Sequence, residues 1–167
     1  FDEQPIQNIG AIAIQQSNPS VVWVGTGEGN PRNSLNLGAG IYKSLDAGKT
    51  WKKMGLDKTI CIHRVVIDPT NPNTVYAAAI GNPYAEHPER GVFKTTDGGE
   101  NWQISLQGVN PSDLIMDPSN SNTLYASLSG NTAMRAGIYV STNLGVSWQI
   151  LKGCMDGLLP VLNIENT

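Results

Sequence analysis

The chain has 167 residues, of which 40% are hydrophobic and only 15% charged, with a formal net charge of -3. That length can carry a packed core, the absence of a basic patch excludes nucleic acid as an expected partner, and no apolar run reaches the ~18 residues of a membrane span. The 18 glycines and 10 prolines suit tightly turned β-structure, not helix bundles or disorder.

In chain order the first apolar segment is Ile9–Ile14. It is followed by a turn and the apolar stretch Ser17-Asn-Pro-Ser-Val-Val-Trp-Val24. A polar loop over 25–39 leads to Gly40-Ile-Tyr-Lys-Ser-Leu-Asp-Ala-Gly-Lys-Thr-Trp51. The same order returns in a second unit, with strands predicted at about His63–Ile67, Thr74–Ile80, Gly91–Thr95 and Asn101–Ser105. It returns again in a third, with a first strand over Leu114–Met116 and then Ser119-Asn-Ser-Asn-Thr-Leu-Tyr-Ala126. The turn recurs without a gap as Gly91-Val-Phe-Lys-Thr-Thr-Asp-Gly-Gly-Glu-Asn-Trp102 and Gly137-Ile-Tyr-Val-Ser-Thr-Asn-Leu-Gly-Val-Ser-Trp148. Asp68-Pro69 and Asp117-Pro118 close two of the first strands with a turn signal. No window shows a helical period. Four strands in a period near 50 residues match a propeller blade. The expected fold is therefore all-β: three four-stranded blades at about 1–55, 56–107 and 108–152. Residues 153–167 are read as the start of a fourth, because Gly157-Leu-Leu-Pro-Val-Leu-Asn-Ile164 looks like another first strand. The first two strands of each unit barely alternate, which predicts burial on both faces between stacked blades.

Three blades do not close a ring. The chain is thus expected either to be part of a larger propeller or to assemble from several copies. In isolation it should expose apolar sheet faces at both ends, led by Val22, Trp23 and Leu124, and so associate or be unstable. Cys61 and Cys154 read as free thiols. With His63 and His87 they form no metal-ligand spacing, and no metal or cofactor is expected.

Local chemistry explains the recurrent turn. Asp46 and Asp97 accept backbone N–H bonds, and Asn143 keeps the acceptor without the charge. Gly48, Gly99 and Gly145 supply positive φ, and Trp51, Trp102 and Trp148 bury a large ring. The spacing Ser/Thr-x-Asp-x-Gly-x-x-Trp resembles the Asp-box, or bacterial neuraminidase repeat. A feature present in every blade serves folding, not catalysis or calcium.

Candidate binding residues lie in the loops between second and third strands, 25–39, 81–90 and 129–136. These loops share a propeller face with the connections between blades, opposite the recurrent turns. They carry Glu28 and Arg32, then Tyr84, Glu86, His87, Glu89 and Arg90, then Arg135. Glu28, Arg32, Glu86, Arg90 and Arg135 are the proposed ligand-binding set. Arg offers a planar fork of donors and Glu accepts from hydroxyls, which suits a polar ligand bearing a carboxylate, hydroxyls or both. Gly25-Thr-Gly-Glu-Gly29 lacks the Lys-Ser/Thr of a phosphate loop. Three arginines on one face resemble the sialidase arginine cluster, although the Arg-Ile-Pro signature is absent. Glu28 with Glu86 or Glu89 is the available carboxylate pair for glycoside hydrolysis.

The segments Val22-Trp-Val-Gly-Thr-Gly-Glu28, Gly40-Ile-Tyr-Lys-Ser44 and Val65-Val-Ile-Asp-Pro-Thr-Asn-Pro-Asn-Thr-Val-Tyr76 resemble sortilin-type bacterial propellers, often labelled glycosyl hydrolases. Xyloglucanases and the photosystem II assembly propeller are similar in repeat style. The resemblance implies an extracellular or periplasmic propeller and leaves two functions open. One is binding of peptide, protein or glycan. The other is a glycoside hydrolase, sialidase- or xyloglucanase-like, whose catalytic carboxylates lie partly outside this chain.

Overall fold

A computed structural model describes residues 1–29, 36–82, 84–85, 87–129 and 136–151. Three antiparallel four-stranded sheets follow one another, each with its strands side by side in chain order. The first blade holds β1 (Ile9–Ile14), β2 (Val22–Thr26), β3 (Ile41–Ser44) and β4 (Lys52–Lys53). The second holds β5 (Ile62–Ile67), β6 (Val75–Ala79), β7 (Gly91–Thr95) and β8 (Gln103–Gln107). The third holds β9 (Asn110–Asp117), β10 (Asn120–Ser129), β11 (Gly137–Ser141) and β12 (Gln149–Ile150). Among the described residues there is no helix. The expected start of a fourth blade lies outside them, as does Cys154.

Two apolar seams hold the blades together. Trp23, Ile41, Met54 and Ala11 of the first blade pack on Ile62, Val65, Val75, Ala77 and Phe93 of the second. The opposite face of the second blade, with Tyr76, Ala78 and Val92, packs on Leu114, Leu124, Ala126 and Tyr139 of the third. Every residue of β6 is buried, because alternate side chains enter alternate seams. This explains its unbroken apolar sequence. The first strands differ from expectation: β1 and β5 alternate between buried and open positions. They line an open groove along the inner edge, so only part of each strand meets a neighbour.

The apolar residues expected to be exposed are also different. Trp23 and Leu124 are fully buried in the seams, and Val22 is half-buried. The most open apolar positions of the first strands are Ile12 (65% exposed) and Ile14 (55%) on the first blade and Ile115 (53%) on the third. They lie on the sheet faces that no described blade covers. Register places Ile12 opposite Val24 and Val24 opposite Tyr42, on the face turned away from the second blade. Ile115 pairs with Tyr125 on the corresponding face of the third blade.

Boundaries shift where side chains are already engaged. The fourth strand of the second blade begins at Gln103, not Asn101, because Asn101 donates its backbone N–H (2.9 Å) and its Nδ2 (2.7 Å) to Asp97. The first strand of the third blade begins four residues before Leu114, since Asn110 pairs with Ser129.

The recurrent turn is closed by the same bonds in each copy. In the first, Asp46 Oδ1 accepts from the Thr50 N–H (2.8 Å) and the Ser44 hydroxyl (2.7 Å), and Oδ2 accepts from the Thr50 hydroxyl (2.6 Å). In the third, Asn143 Oδ1 accepts from the Ser147 N–H (3.0 Å) and the Ser141 hydroxyl (2.9 Å), while Nδ2 donates to Ser147 Oγ (2.9 Å). The amide replaces the carboxylate by turning one bond around. Gly99 needs its hydrogen for two reasons. Its φ is +100°, and a Cβ there would stand 2.6 Å from the Trp23 ring.

These bonds make the turns acid-sensitive. The Thr50 hydroxyl, the Thr50 N–H and the Ser44 hydroxyl hold the Asp46 carboxyl down at about 2. The Asn101 N–H and amide and the Thr95 hydroxyl hold Asp97 well below the usual carboxylate range. A carboxylate whose folded pKa is depressed stabilises above its unfolded value, near 3.9, and that stability is lost as pH falls through the folded value. Melting temperature should therefore fall between about pH 4 and about pH 2. Replacing both residues, Asp46→Asn and Asp97→Asn, should flatten that fall, because Asn143 shows that the amide closes the same turn. An equally steep fall in the double variant would assign the acid sensitivity elsewhere.

Candidate functional site

The two ends of the blades differ in what their polar groups are free to do. At the recurrent turns, Asp46, Asp97 and Asn143 are spent on the turns themselves. At the other end lie the β2–β3 and β6–β7 connections and the start of each first strand.

Glu28, just past β2, closes the base of its loop. Its N–H donates to the Asn36 carbonyl (3.0 Å), and its Oε2 accepts from the Asn36 N–H (3.2 Å) and Nδ2 (3.4 Å). The returning strand is pinned beside it. The buried Thr26 hydroxyl donates to the Gly40 carbonyl and accepts from the Ala39 N–H, both at 2.7 Å. The Gly38 N–H donates to the Ile60 carbonyl at 2.6 Å, joining the loop to the connection between the first two blades. Cys61 in that connection is a free, fully buried thiol. Burial pushes it up to about 11, so it stays protonated and unreactive at neutral pH.

Arg90, at the end of the second loop, is 8% exposed. Its Nε donates to the Ile80 carbonyl (2.8 Å), and Nη2 donates to the carbonyls of Ala85 (2.8 Å) and Asn82. The guanidinium thus gathers three carbonyls of the loop it ends. His87 packs over Gly81, where φ is +60° and a Cβ would stand 2.9 Å from the imidazole. Of the five expected binding residues, the structure places Glu28 and Arg90 on this face, each bonded within its own loop. Arg32, Glu86 and Arg135 lie outside the described residues.

Along the inner edge, β1, β5 and β9 line a groove of about 860 Å³. Arg64 of β5 reaches across it, Nε to Asp113 Oδ1 of β9 at 2.6 Å, and both side chains are about half exposed. The bond to Arg64 lowers the Asp113 pKa and raises that of Arg64. His63 next to them is pushed down by burial, against the pull of Asp113, and its Nε2 is buried without a partner. The loop-based reading had passed over this group. The signal for it was present, since His63 and Arg64 are the polar residues of the otherwise apolar strand Ile62–Ile67. Among the described residues, no cluster of three or more His, Cys, Asp or Glu could hold a metal ion, and no helix is long and apolar enough to cross a membrane.

The model of the Sortilin-Vps10 family, described as sortilin, neurotensin receptor 3, matches residues 39–157. The chain belongs to the Sortilin-Vps10 family. Its three sheets are blades of that family's β-propeller. This Sortilin-Vps10 chain is also 28% identical, over an alignment of 190 positions, to Xyloglucanase Xgh74A of Acetivibrio thermocellus, covering 96% of the chain and 22% of that protein. It is 32% identical over 97 residues to a probable oligoxyloglucan-reducing end-specific xyloglucanase of Neosartorya fischeri, covering 55% of the chain and 10% of that protein. The crystal structure of a GH74 enzyme of Niastella koreensis shares its fold, with a TM-score of 0.64 and 21% identity over 86% of this chain and 22% of that one. The chain thus spans a tenth to about a fifth of the length of the curated relatives it matches.

Proposed function

We propose that this chain is a segment of a larger extracellular or periplasmic propeller, and that it binds a peptide, protein or glycan through its loop face. The recurrent turns are read as Asp-boxes with a folding role. The observation that carries the reading is the contrast between the two ends. All three turns are closed by the same internal bonds, while the loops differ between blades in length and in the charges they carry. Loops that vary on a rigid scaffold are where binding residues usually lie. In this reading Arg32, Glu86 and Arg135 meet the ligand, and Glu28 and Arg90 act on the same face from the bases of their loops. The inner groove runs along the later parts of β1, β5 and β9 to the turns that follow them, away from this loop face.

A second reading, a glycoside hydrolase with part of its catalytic carboxylates elsewhere, is favoured by the alignment with a xyloglucanase along nearly the whole chain. One experiment separates the two. The full-length polypeptide that carries these residues is titrated with xyloglucan oligosaccharide by calorimetry while release of reducing ends is followed, since the second reading needs carboxylates from outside this chain. Binding without release supports the first reading, release supports the second, and neither leaves a peptide or protein ligand for the loop face. In the first case Arg32→Ala should weaken binding about tenfold, as expected for one charge-assisted bond, at unchanged melting temperature. Equal affinity would remove Arg32 from the ligand.

A further inference from the structure

The two seams carry the same repeat but differ at their outer rim on the turn face, opposite the loops. At the first seam the rim is filled below and bridged above. Met54 is buried against Gly99 of the second-blade turn, where a Cβ would stand 3.1 Å from its Cε. Over it, Lys52 of β4 reaches Glu100 of that turn, Nζ to Oε1 at 2.9 Å. The second seam replaces all three residues. Counted from the recurrent tryptophan and the turn acceptor, Ser105 stands where Met54 stands, Gln103 where Lys52 stands and Val146 where Glu100 stands. Ser105 is too short to fill the space. Its hydroxyl is held at the floor, donating to the Gly145 carbonyl at 2.5 Å and accepting from Trp148 Nε1 at 3.0 Å. Gln103 and Val146 can make no ion pair. A cleft of about 290 Å³ is left between the second-blade turn, β8 and the third-blade turn.

The lining selects the chemistry of an occupant. Two charged residues enter it, Lys94 and Asp97, and they are opposite in sign and already engaged. Lys94 Nζ donates to the Leu144 carbonyl at 2.7 Å and lies over the Tyr76 ring. Asp97 accepts from the Thr95 hydroxyl and from the Asn101 N–H and amide. The cleft therefore holds no unbalanced charge for an anion or a cation. Its open polar groups are the exposed Thr96 hydroxyl and Gln103 amide, which have no partner among the described residues. Both can donate and accept. Beside them Ile104 (41% exposed) and Val146 (77%) offer apolar side chains. A pyranose ring matches this mixture, with hydroxyls that donate and accept on its rim and C–H groups on its face. The volume lies at the lower end for small-molecule sites, which suits one ring.

We propose that the rim cleft between the second and third blades is a binding subsite for one ring of a neutral oligosaccharide. Gln103 and Thr96 bond its hydroxyls, and Ile104 and Val146 cover its C–H face. The subsite lies on the turn face and is independent of what the loop face binds. The Asp97 carboxylate keeps its folding role, since the cleft arises from the positions at which the copies differ.

Saturation-transfer NMR on the full-length polypeptide that carries these residues tests the subsite, with neutral gluco-, galacto-, manno- and xylo-oligosaccharides as probes. The ring C–H signals of at least one probe should gain saturation from the protein. Two variants that rebuild the first seam's rim should remove that gain. Ser105→Met fills the floor, and Gln103→Lys together with Val146→Glu supplies the bridge. Gln103→Ala alone should weaken binding about fivefold, as for one neutral hydrogen bond. Arg32→Ala, on the loop face, should leave the cleft-dependent signal in place, so the two sites stand or fall separately. Ser105→Met also forfeits the Trp148 bond. Where it lowers the melting temperature, the Gln103→Lys, Val146→Glu variant decides, because both positions are exposed and the first seam carries the same pair. The proposal is overturned if the closed-cleft variants leave every probe's signal unchanged, or if no probe gains saturation at all. Preference for a uronic acid or an amino sugar over the neutral probes also overturns it. So does a cleft-dependent signal from a capped, uncharged dipeptide without one from any sugar, which would assign the cleft to a peptide.

Discussion

Trp23→Ala is expected to destabilise the chain by about 3–5 kcal/mol, the range for truncating a large aromatic in a packed core. Trp23 is fully buried in the seam between the first and second blades. Its ring meets Trp102 edge-on at 6.2 Å and carries Lys43 Nζ 4.8 Å from its centroid. Gly99 approaches so closely that a Cβ there would touch the ring. Removing the indole therefore loses apolar burial, a ring pair and a cation–π contact at once. It also leaves a cavity that strands fixed by backbone pairing cannot collapse into. Trp23→Phe should cost less, since much of the ring volume remains. Urea unfolding measures both, and the midpoint should move without a change in slope. A loss under about 1 kcal/mol for Trp23→Ala would mean that the blades are not joined cooperatively through this seam.

Much of the fold was legible because its repeat is written in residue types with local reasons. The gap-free turns located three hairpins. Prolines and asparagines after Asp68 and Asp117 located the ends of the first strands, and the apolar run Val75–Ala79 announced burial on both faces. Other features depended on tertiary facts. Trp23 and Val22 are adjacent in a strand and read alike as apolar, yet one enters a seam and the other faces away, and only the order of the blades decides which. Asn101 looks like the start of a strand until its amide is seen bonded to Asp97. The loop face was legible in placement but not in detail. An arginine in a loop reads as a free cation in one dimension, and nothing in the residues 81–90 reveals that the guanidinium of Arg90 turns back on its own carbonyls. Arg64 and Asp113 were missed for the converse reason. They are far apart in sequence and meet only because the second and third blades lie side by side.

The engagement of Arg90 leads to an expected result of comparable size. Arg90→Ala should destabilise the second-blade loop and cost about 2–4 kcal/mol, because a buried carbonyl left without a donor costs about 1–3 kcal/mol and some of the three will regain water. Arg90→Lys should recover little. An ammonium is a point donor, and it cannot reproduce the planar fork that reaches Ile80 with Nε while Nη2 bridges Asn82 and Ala85. Both variants should speed hydrogen exchange of the 81–90 backbone and leave the recurrent turns unchanged. The pair also tells a loop-shaping arginine from one that touches the ligand. If Arg90 acts by holding the loop, affinity for a loop-face ligand falls in step with lost protection of the loop, and a variant that keeps the protection keeps the affinity. If it contacts the ligand directly, Arg90→Lys should weaken binding while melting temperature and exchange stay as in the parent. The three backbone bonds favour the first outcome, and unchanged stability in Arg90→Ala would overturn it.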